Sequence, residues 1–178
     1  MMLYYIHGYM SGPNSTKGTL FEEKLNAIAI KYRDCEPEDL VISECINRIN
    51  KTIENDENAI LIGSSLGGLL AARTALENPN VKQIILLNPA IIPISVDISK
   101  IQGMPYKILE GMQDERLFKN KIASKIHVLL GLEDDVVPNS WGLEFAKAQS
   151  AIVESLHDDH QFSRNLMLLP EIISKIIN

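Results

Sequence analysis

The chain has 178 residues, 46% of them hydrophobic and 22% charged, with a formal net charge of −6 at pH 7. This length and composition are typical of one globular domain, here expected to span residues 1–178, and they exclude a disordered or a fibrous chain. The acidic balance disfavours nucleic acid and anionic membranes as partners. No apolar run reaches the roughly 18 residues that a membrane helix needs.

The first residues and the cysteines predict a cytoplasmic protein. Residues 1–8 lack the basic start and the long apolar segment of a signal peptide. Cys35 and Cys45 are the two cysteines of the sequence, and they form neither a CxxC pair nor a disulfide framework. The sequence carries no signal for the oligomeric state.

Short apolar runs alternate with segments of helical periodicity along the chain. The runs predict strands at 3–6, 59–62, 84–87, 126–130 and 151–155. A first helix is predicted where Phe21, Leu25, Ile28 and Tyr32 recur at helical spacing, and a second from Pro37 to Ile53. Further helices are predicted at 66–76, at 140–148, and at 166–177, the last with a break or restart at Pro170.

This alternation predicts a three-layer α/β/α sandwich around a mostly parallel sheet. A short edge strand is expected near 34–36. Residues 91–125 fit the alternation poorly, so we expect a lid or a substrate-binding insertion there rather than one long helix. Ligands of such sheets bind beyond the carboxyl ends of the strands, so functional residues should follow strands directly.

The pentapeptide 63–67, Gly-Ser-Ser-Leu-Gly, follows a predicted strand and opens a predicted helix. It matches the G-x-S-x-G nucleophile elbow, whose serine needs small neighbours two residues away on each side. Ser65 has Gly63 and Gly67 there, whereas Ser64 does not, so Ser65 is the candidate nucleophile. The N–H of Leu66 would then begin a helix and could hold an oxyanion.

Two phosphate-loop interpretations are weaker. The pentapeptide alone could be a plain turn that grips a phosphate, but G-x-G-x-x-G is absent. Residues 12–19 imitate a Walker loop with its lysine and glycine transposed.

A second loop follows the first predicted strand, at His7, Gly8 and Tyr9. Glycine lets the chain turn and bring a backbone N–H close to a substrate, so the Tyr9 N–H is the candidate for a second oxyanion donor. The His7 ring is interpreted as a support for this loop, because a histidine further along the chain fits the role of base better.

Acids and histidines follow the last two predicted strands, in the chain order nucleophile, acid, histidine. An acid there could orient an imidazole that takes the serine proton. Composition does not choose among the candidates, which are Glu133, Asp134, Asp135 and Asn139 for the acid position and His157 and His160 for the base. A metal site built from His157, Asp158, Asp159 and His160 is a weaker alternative, since no further ligand motif accompanies it.

Together these segments resemble the α/β-hydrolase superfamily and, within it, the small YqiA-like esterases. The resemblance rests on residues 3–13, 63–68, 88–90 and 159–162, and on the pattern G-x-x-D-x-x-V-P at 131–138. That pattern selects Asp134 as the acid, and the ending D-H-x-F selects His160 as the base. One departure is Asp158-Asp159, where many relatives carry glycine before the histidine.

The resemblance implies a sheet that lacks the first two strands of larger hydrolases. It implies hydrolysis of a small-molecule carboxylic ester or thioester, with Ser65, Asp134 and His160 as the triad, Tyr9 and Leu66 as oxyanion donors, and no cofactor or metal. There are two alternatives. One is an acyltransferase that uses the same residues, and the other is a catalytically silent hydrolase fold that binds protein. The acyl pocket is expected to be small, favouring chains of about two to six carbons.

Overall fold

A computed structural model describes residues 2–177, which are built around a six-stranded sheet. The strands are β1 (Leu3–Ile6), β2 (Ile28–Ala29), β3 (Ala59–Ser64), β4 (Val81–Leu87), β5 (Lys125–Gly131) and β6 (Ile152–Leu156). Their order is β2-β1-β3-β4-β5-β6, and every neighbouring pair is parallel. The first strand therefore lies inside the sheet, as the resemblance implied.

Helices cover both faces of this sheet. They are α1 (Thr16–Leu25), α2 (Ile42–Thr52), α3 (Leu66–Glu77), α4 (Tyr106–Met112), α5 (Arg116–Lys119), α6 (Asn139–Gln149) and α7 (Leu169–Ile177). No helix within residues 2–177 is long and apolar enough to cross a membrane.

Strand alternation sorts the core into two apolar layers. In β1, Tyr4 and Ile6 point into the layer shared with α2, α3 and α6, whereas Tyr5 points into the layer shared with α1 and α7. Side chains with a period of two thus give each face of the sheet its own core. The predicted three-layer sandwich is confirmed, with a sheet that is parallel throughout.

The edge strand next to β1 lies earlier in the chain than expected. The helix predicted through Tyr32 ends at Leu25, because Asn26 adopts a left-handed conformation with φ 52° and caps it. The chain then extends, and Ile28 and Ala29 pair with Tyr4 and Tyr5. The predicted helical spacing at Ile28 and the predicted edge strand at 34–36 are both wrong.

The helix predicted from Pro37 to Ile53 is two elements. A 3₁₀ turn covers Pro37–Asp39, and Leu40 is extended before α2 begins. Leu40 is buried, so its packing interrupts the helix. At the end of the chain, Pro170 stands in the first turn of α7, where its missing N–H costs nothing.

Residues 88–124 connect β4 to β5 without adding a strand, and Lys125, the last residue of the predicted insertion at 91–125, already belongs to β5. They contain a 3₁₀ turn (Ile98–Lys100) and the short helices α4 and α5. The expectation that this insertion is not one long helix is confirmed. The domain predicted over 1–178 includes Met1 and Asn178, which lie outside the described residues.

Candidate active site

The elbow between β3 and α3 holds Ser65 in a conformation that L-residues rarely adopt, with φ 55° and ψ −119°. Its backbone N–H donates to Leu87 O at 2.9 Å. A Cβ on Gly63 would lie 2.3 Å from Gly67 O, and one on Gly67 would lie 2.0 Å from Ile6 O. Both flanking positions therefore require glycine, and the strain at Ser65 is maintained by tight backbone packing.

The loops after β5 and β6 bring one acid and one histidine together. His160 Nδ1 lies 2.8 Å from Asp134 Oδ2, and the Asp134 side chain is 1% exposed. Asp134 Oδ1 accepts hydrogen bonds from the N–H groups of Val136 and Val137, both at 2.9 Å. The carboxylate is thus fixed by its own loop and directs its second oxygen at the imidazole.

The other candidates in these loops have different partners. Glu133 forms a two-point ion pair with Arg164, and Asn139 donates to Gly131 O at 3.0 Å. Asp135 is exposed, and the His157 side chain is 85% exposed. Among the candidates for acid and base, Asp134 and His160 lie within hydrogen-bonding distance of each other, whereas His157 Nδ1 and Glu133 Oε1 are 4.0 Å apart.

The carboxylates of the alternative metal site bind backbone N–H groups of their own loop. Asp158 is buried and accepts from the backbone N–H groups of Arg164 and Asn165, while Asp159 accepts from Gln161 and Ser163. Within residues 2–177 no group of three or more His, Cys, Asp or Glu side chains is arranged to hold a metal ion.

Asn88 joins these loops to the sheet, a role that the sequence did not suggest. It follows β4 with φ 44°, a conformation that asparagine tolerates better than most residues. Its Oδ1 accepts from Gly131 N at 2.7 Å, and its Nδ2 donates to the carbonyls of Asp159 (3.2 Å) and His160 (3.1 Å). One side chain thus links the acid loop and the histidine loop.

His7 supports the loop after β1. Its Nδ1 lies 2.8 Å from Gly8 O, and its ring stacks on Tyr32 at 4.2 Å. The Tyr32 hydroxyl donates to the carbonyls of His7 and Gly8. Burial lowers the pKa of His7 to about 4, so the ring is neutral at pH 7. No strained φ and no close contact requires glycine at position 8.

One cavity of about 760 Å³ brings Ser65, His160, Tyr9 and Leu66 to a common surface. Within residues 2–177 the N–H groups of Tyr9 and Leu66 donate no hydrogen bond, so both are available to a ligand. Apolar side chains also line this cavity, and they include Ile92, Ile101, Met104, Leu109, Met112 and Trp141.

The cavity is larger than the small acyl pocket that was expected. Its volume falls in the range of about 300–1,000 Å³ that holds drug-sized ligands. The reason is that the insertion does not pack all its apolar side chains into the core: Ile91 does, but Ile101 and Met104 remain partly exposed on the cavity wall.

A family model matches residues 2–176, nearly the whole chain, and is described as an uncharacterised protein family, UPF0227. The chain belongs to the UPF0227 family. This is the YqiA-like family that the motifs of the sequence resemble. No curated protein sequence matches the chain.

Solved structures similar to this UPF0227 chain share the α/β-hydrolase fold. Est1E from Butyrivibrio proteoclasticus with ferulic acid bound has a TM-score of 0.81 at 18% identity, over 99% of this chain and 87% of that one. The Pyrococcus furiosus esterase Pf2001 has a TM-score of 0.74 at 17% identity, over 99% and 80%. Mouse alpha/beta hydrolase domain-containing protein 10 has a TM-score of 0.74 at 18% identity, over 98% and 88%. At these identities the likeness shows the fold.

Proposed function

We propose that this UPF0227 chain is a serine hydrolase of carboxylic esters or thioesters. The observation that carries the proposal is the 2.8 Å contact between His160 and the buried Asp134, in a cavity that Ser65 also lines. A serine on a strained elbow and an oriented imidazole in the same cavity are the groups that nucleophilic acyl transfer needs. The similarity in fold to esterases agrees with it.

Acylation begins when the Ser65 hydroxyl oxygen attacks the acyl carbonyl and its proton passes to His160 Nε2. Asp134 receives the hydrogen bond from Nδ1–H, which keeps Nε2 unprotonated before attack, so that it can accept the serine proton. The resulting imidazolium is stabilised by the same carboxylate. It then returns the proton to the departing alkoxide or thiolate as the acyl bond to the leaving group breaks.

The tetrahedral intermediate carries a negative charge on the former carbonyl oxygen. The N–H groups of Tyr9 and Leu66 are the donors proposed to bind this oxyanion, since both line the cavity and Leu66 begins α3. His7 and Gly8 support the Tyr9 loop, and Gly63 and Gly67 allow the elbow. Deacylation repeats the sequence, with water in place of the serine and His160 again as base. None of these steps needs a cofactor or a metal.

Labelling with a fluorophosphonate probe tests the nucleophile directly. We expect the wild-type protein to be labelled on Ser65, and Ser65→Ala to lose both labelling and roughly 10⁶-fold of ester turnover. Ser64→Ala is the matched control and should retain both, because Ser64 is the last residue of β3 rather than the elbow residue.

The histidines provide a second matched pair. His160→Ala should abolish turnover, whereas His157→Ala should retain it, because His157 is exposed. An unlabelled wild-type serine would contradict the proposal and favour a silent fold that binds protein. Labelling together with acyl transfer to an added alcohol in preference to water would assign an acyltransferase instead.

A further inference from the structure

Lys17 is a buried lysine in the wall of the candidate active site. It is the second residue of α1, its side chain lines the same cavity as Ser65 and His160, and the residue is 5% exposed. Lysine is rarely buried without a charged partner, because burial of an ammonium group costs solvation energy. The proposed chemistry assigns it no role.

The direct partner of Lys17 is a neutral group. Its Nζ donates to Gln161 Oε1 at 3.1 Å, and within residues 2–177 it forms no ion pair. The nearby carboxylates form no ion pair with it within residues 2–177: Asp158 accepts from the backbone of Arg164 and Asn165, and Asp159 Oδ1 accepts from Gln161 and Ser163. An ammonium group has three N–H donors, so it can bind a further acceptor.

The charge persists at neutral pH. Burial lowers the pKa of Lys17 to about 8, against the attraction of Asp159 and Asp158, so most of the population carries the ammonium at pH 7. A charged donor in the wall of a cavity binds anionic oxygens more strongly than neutral ones.

The position of Lys17 points to an interaction with the leaving group of the substrate rather than with its acyl chain. Gln161 follows His160 in the chain, so the hydrogen bond from Lys17 to the Gln161 side chain joins the ammonium to the histidine loop. In the proposed reaction the leaving-group oxygen must reach His160 to receive its proton. A leaving group bound at His160 would then lie beside the histidine loop that Lys17 contacts, in the cavity that both residues line.

We propose that Lys17 is a specificity residue that makes this site selective for esters whose leaving group carries an anionic oxygen group, a carboxylate or a phosphate. This rests on the proposed function, because the direction of the leaving group follows from the role of His160. The anion would accept hydrogen bonds from the Lys17 ammonium. These would be in addition to the hydrogen bond that the ammonium donates to Gln161.

Three matched substrates test this selectivity: 4-acetoxybenzoate, its neutral methyl ester, and 4-acetoxyphenyl phosphate. The measured quantity is kcat/KM for each anionic ester divided by kcat/KM for the neutral one. In Lys17→Met, which retains the length of the side chain, this ratio should fall roughly 10- to 100-fold, as loss of a charge-assisted hydrogen bond predicts. The ester whose ratio falls further identifies carboxylate or phosphate as the preferred anion.

Lys24→Met is the matched control, because Lys24 is an exposed lysine of the same helix. Its ratio should equal the wild-type ratio. If Lys17→Met has the wild-type ratio, the proposal is overturned, and Lys17 is a structural link between α1 and the histidine loop. An equal loss of kcat/KM on all three esters leaves the ratio unchanged and therefore gives the same conclusion.

A binding measurement separates this proposal from the proposed function. If the folded wild type neither reacts with the fluorophosphonate probe nor hydrolyses any of the esters, the hydrolase proposal fails, and the anion site is judged by thermal unfolding with 4-hydroxybenzoate, the leaving group of 4-acetoxybenzoate. A rise in Tm for the wild type that is absent in Lys17→Met supports the anion site. No rise in the wild type overturns it.

Discussion

The two walls of the cavity are held by different kinds of contact. On the sheet side, Ser65 sits between two glycines that backbone packing requires, and Asn88 links the loops of Asp134 and His160 through three hydrogen bonds. These contacts join the ends of neighbouring parallel strands. The sheet itself therefore determines where the reacting groups lie.

The insertion wall is held by side-chain contacts around Gln113 and Asp114. Arg73 Nε on α3 lies 3.1 Å from Asp114 Oδ2, and Gln113 Nε2 donates to the carbonyls of Pro93 and Val96. Residues 101–104 line the cavity but include Gly103, whose φ is 83° and whose surroundings are open within 4 Å. Changes in the sheet wall should therefore alter the chemistry, whereas changes in the insertion wall should alter the choice of substrate.

After loss of the nucleophile or the base, the largest effect is expected at the acid. Asp134→Asn should lower kcat by roughly 10²–10⁴-fold, because an amide cannot both accept from Val136 and Val137 and hold the correct imidazole tautomer. Asp135→Asn is the isosteric control in the next position and should remain near wild type, since Asp135 is exposed. Steady-state kinetics on one ester measures both. Equal losses would show that the contact with His160 is not what the reaction uses.

A smaller effect is expected at Asn88, which positions the loops without reaching the substrate. Asn88→Asp retains an acceptor for Gly131 N but replaces the donor to two carbonyls with a carboxylate oxygen. We expect kcat to fall about 10- to 100-fold while KM changes little, because the histidine loop shifts and the acyl pocket does not. Asn120→Asp, an exposed change of the same kind, should have no effect. A rise in KM with an unchanged kcat would contradict the positioning role.

How far the sequence predicts the molecule depends on the range of the contacts. Uninterrupted apolar runs are local, and they predicted five of the six strands. Strand β2 was missed because two paired residues carry no such run, and because the Asn26 cap ends a helix that the periodicity of Ile28 and Tyr32 predicted to continue.

The site follows the same rule. The elbow is a local pattern, so the spacing of Gly63 and Gly67 was enough to select Ser65 over Ser64. The choice of Asp134 among four neighbours needed a family resemblance, because burial of one carboxylate is a tertiary property. Asn88 and Lys17 had no local signal, since their partners Gly131 and Gln161 lie 43 and 144 residues away.

The loop after β1 should make the stability of the folded protein depend on pH. The folded pKa of His7, about 4, lies below its ordinary value of 6.5, so the unfolded chain binds a proton that the folded chain excludes. Stability from this group is complete above pH 6.5 and is lost as the pH falls toward 4. Between pH 7 and pH 5 we expect the unfolding free energy of the wild type to drop by about 2 kcal/mol more than that of His7→Phe.

Denaturant unfolding at each pH measures this difference. The phenylalanine ring preserves stacking on Tyr32 but does not titrate. His157→Ala controls for an exposed histidine, and its pH dependence should match the wild type. If His7→Phe and the wild type lost stability in parallel, the neutral ring beside Gly8 would not be a determinant of the fold.

The smallest effects are expected on the insertion wall, and they concern acyl-chain length. Each methylene that enters an apolar cavity gains about 0.8 kcal/mol, close to fourfold in kcat/KM, and one that remains in water gains nothing. A cavity of about 760 Å³ with an apolar wall leaves room beyond the short chains that the sequence suggested. We therefore expect kcat/KM on p-nitrophenyl esters, measured below their micelle-forming concentrations, to continue rising past six carbons. Met104→Trp should move the optimum to shorter chains, because Met104 lines the cavity, whereas Met167→Trp, at a residue 70% exposed, should not. An optimum at two to six carbons in the wild type would show that the acyl chain does not enter the space beneath the insertion.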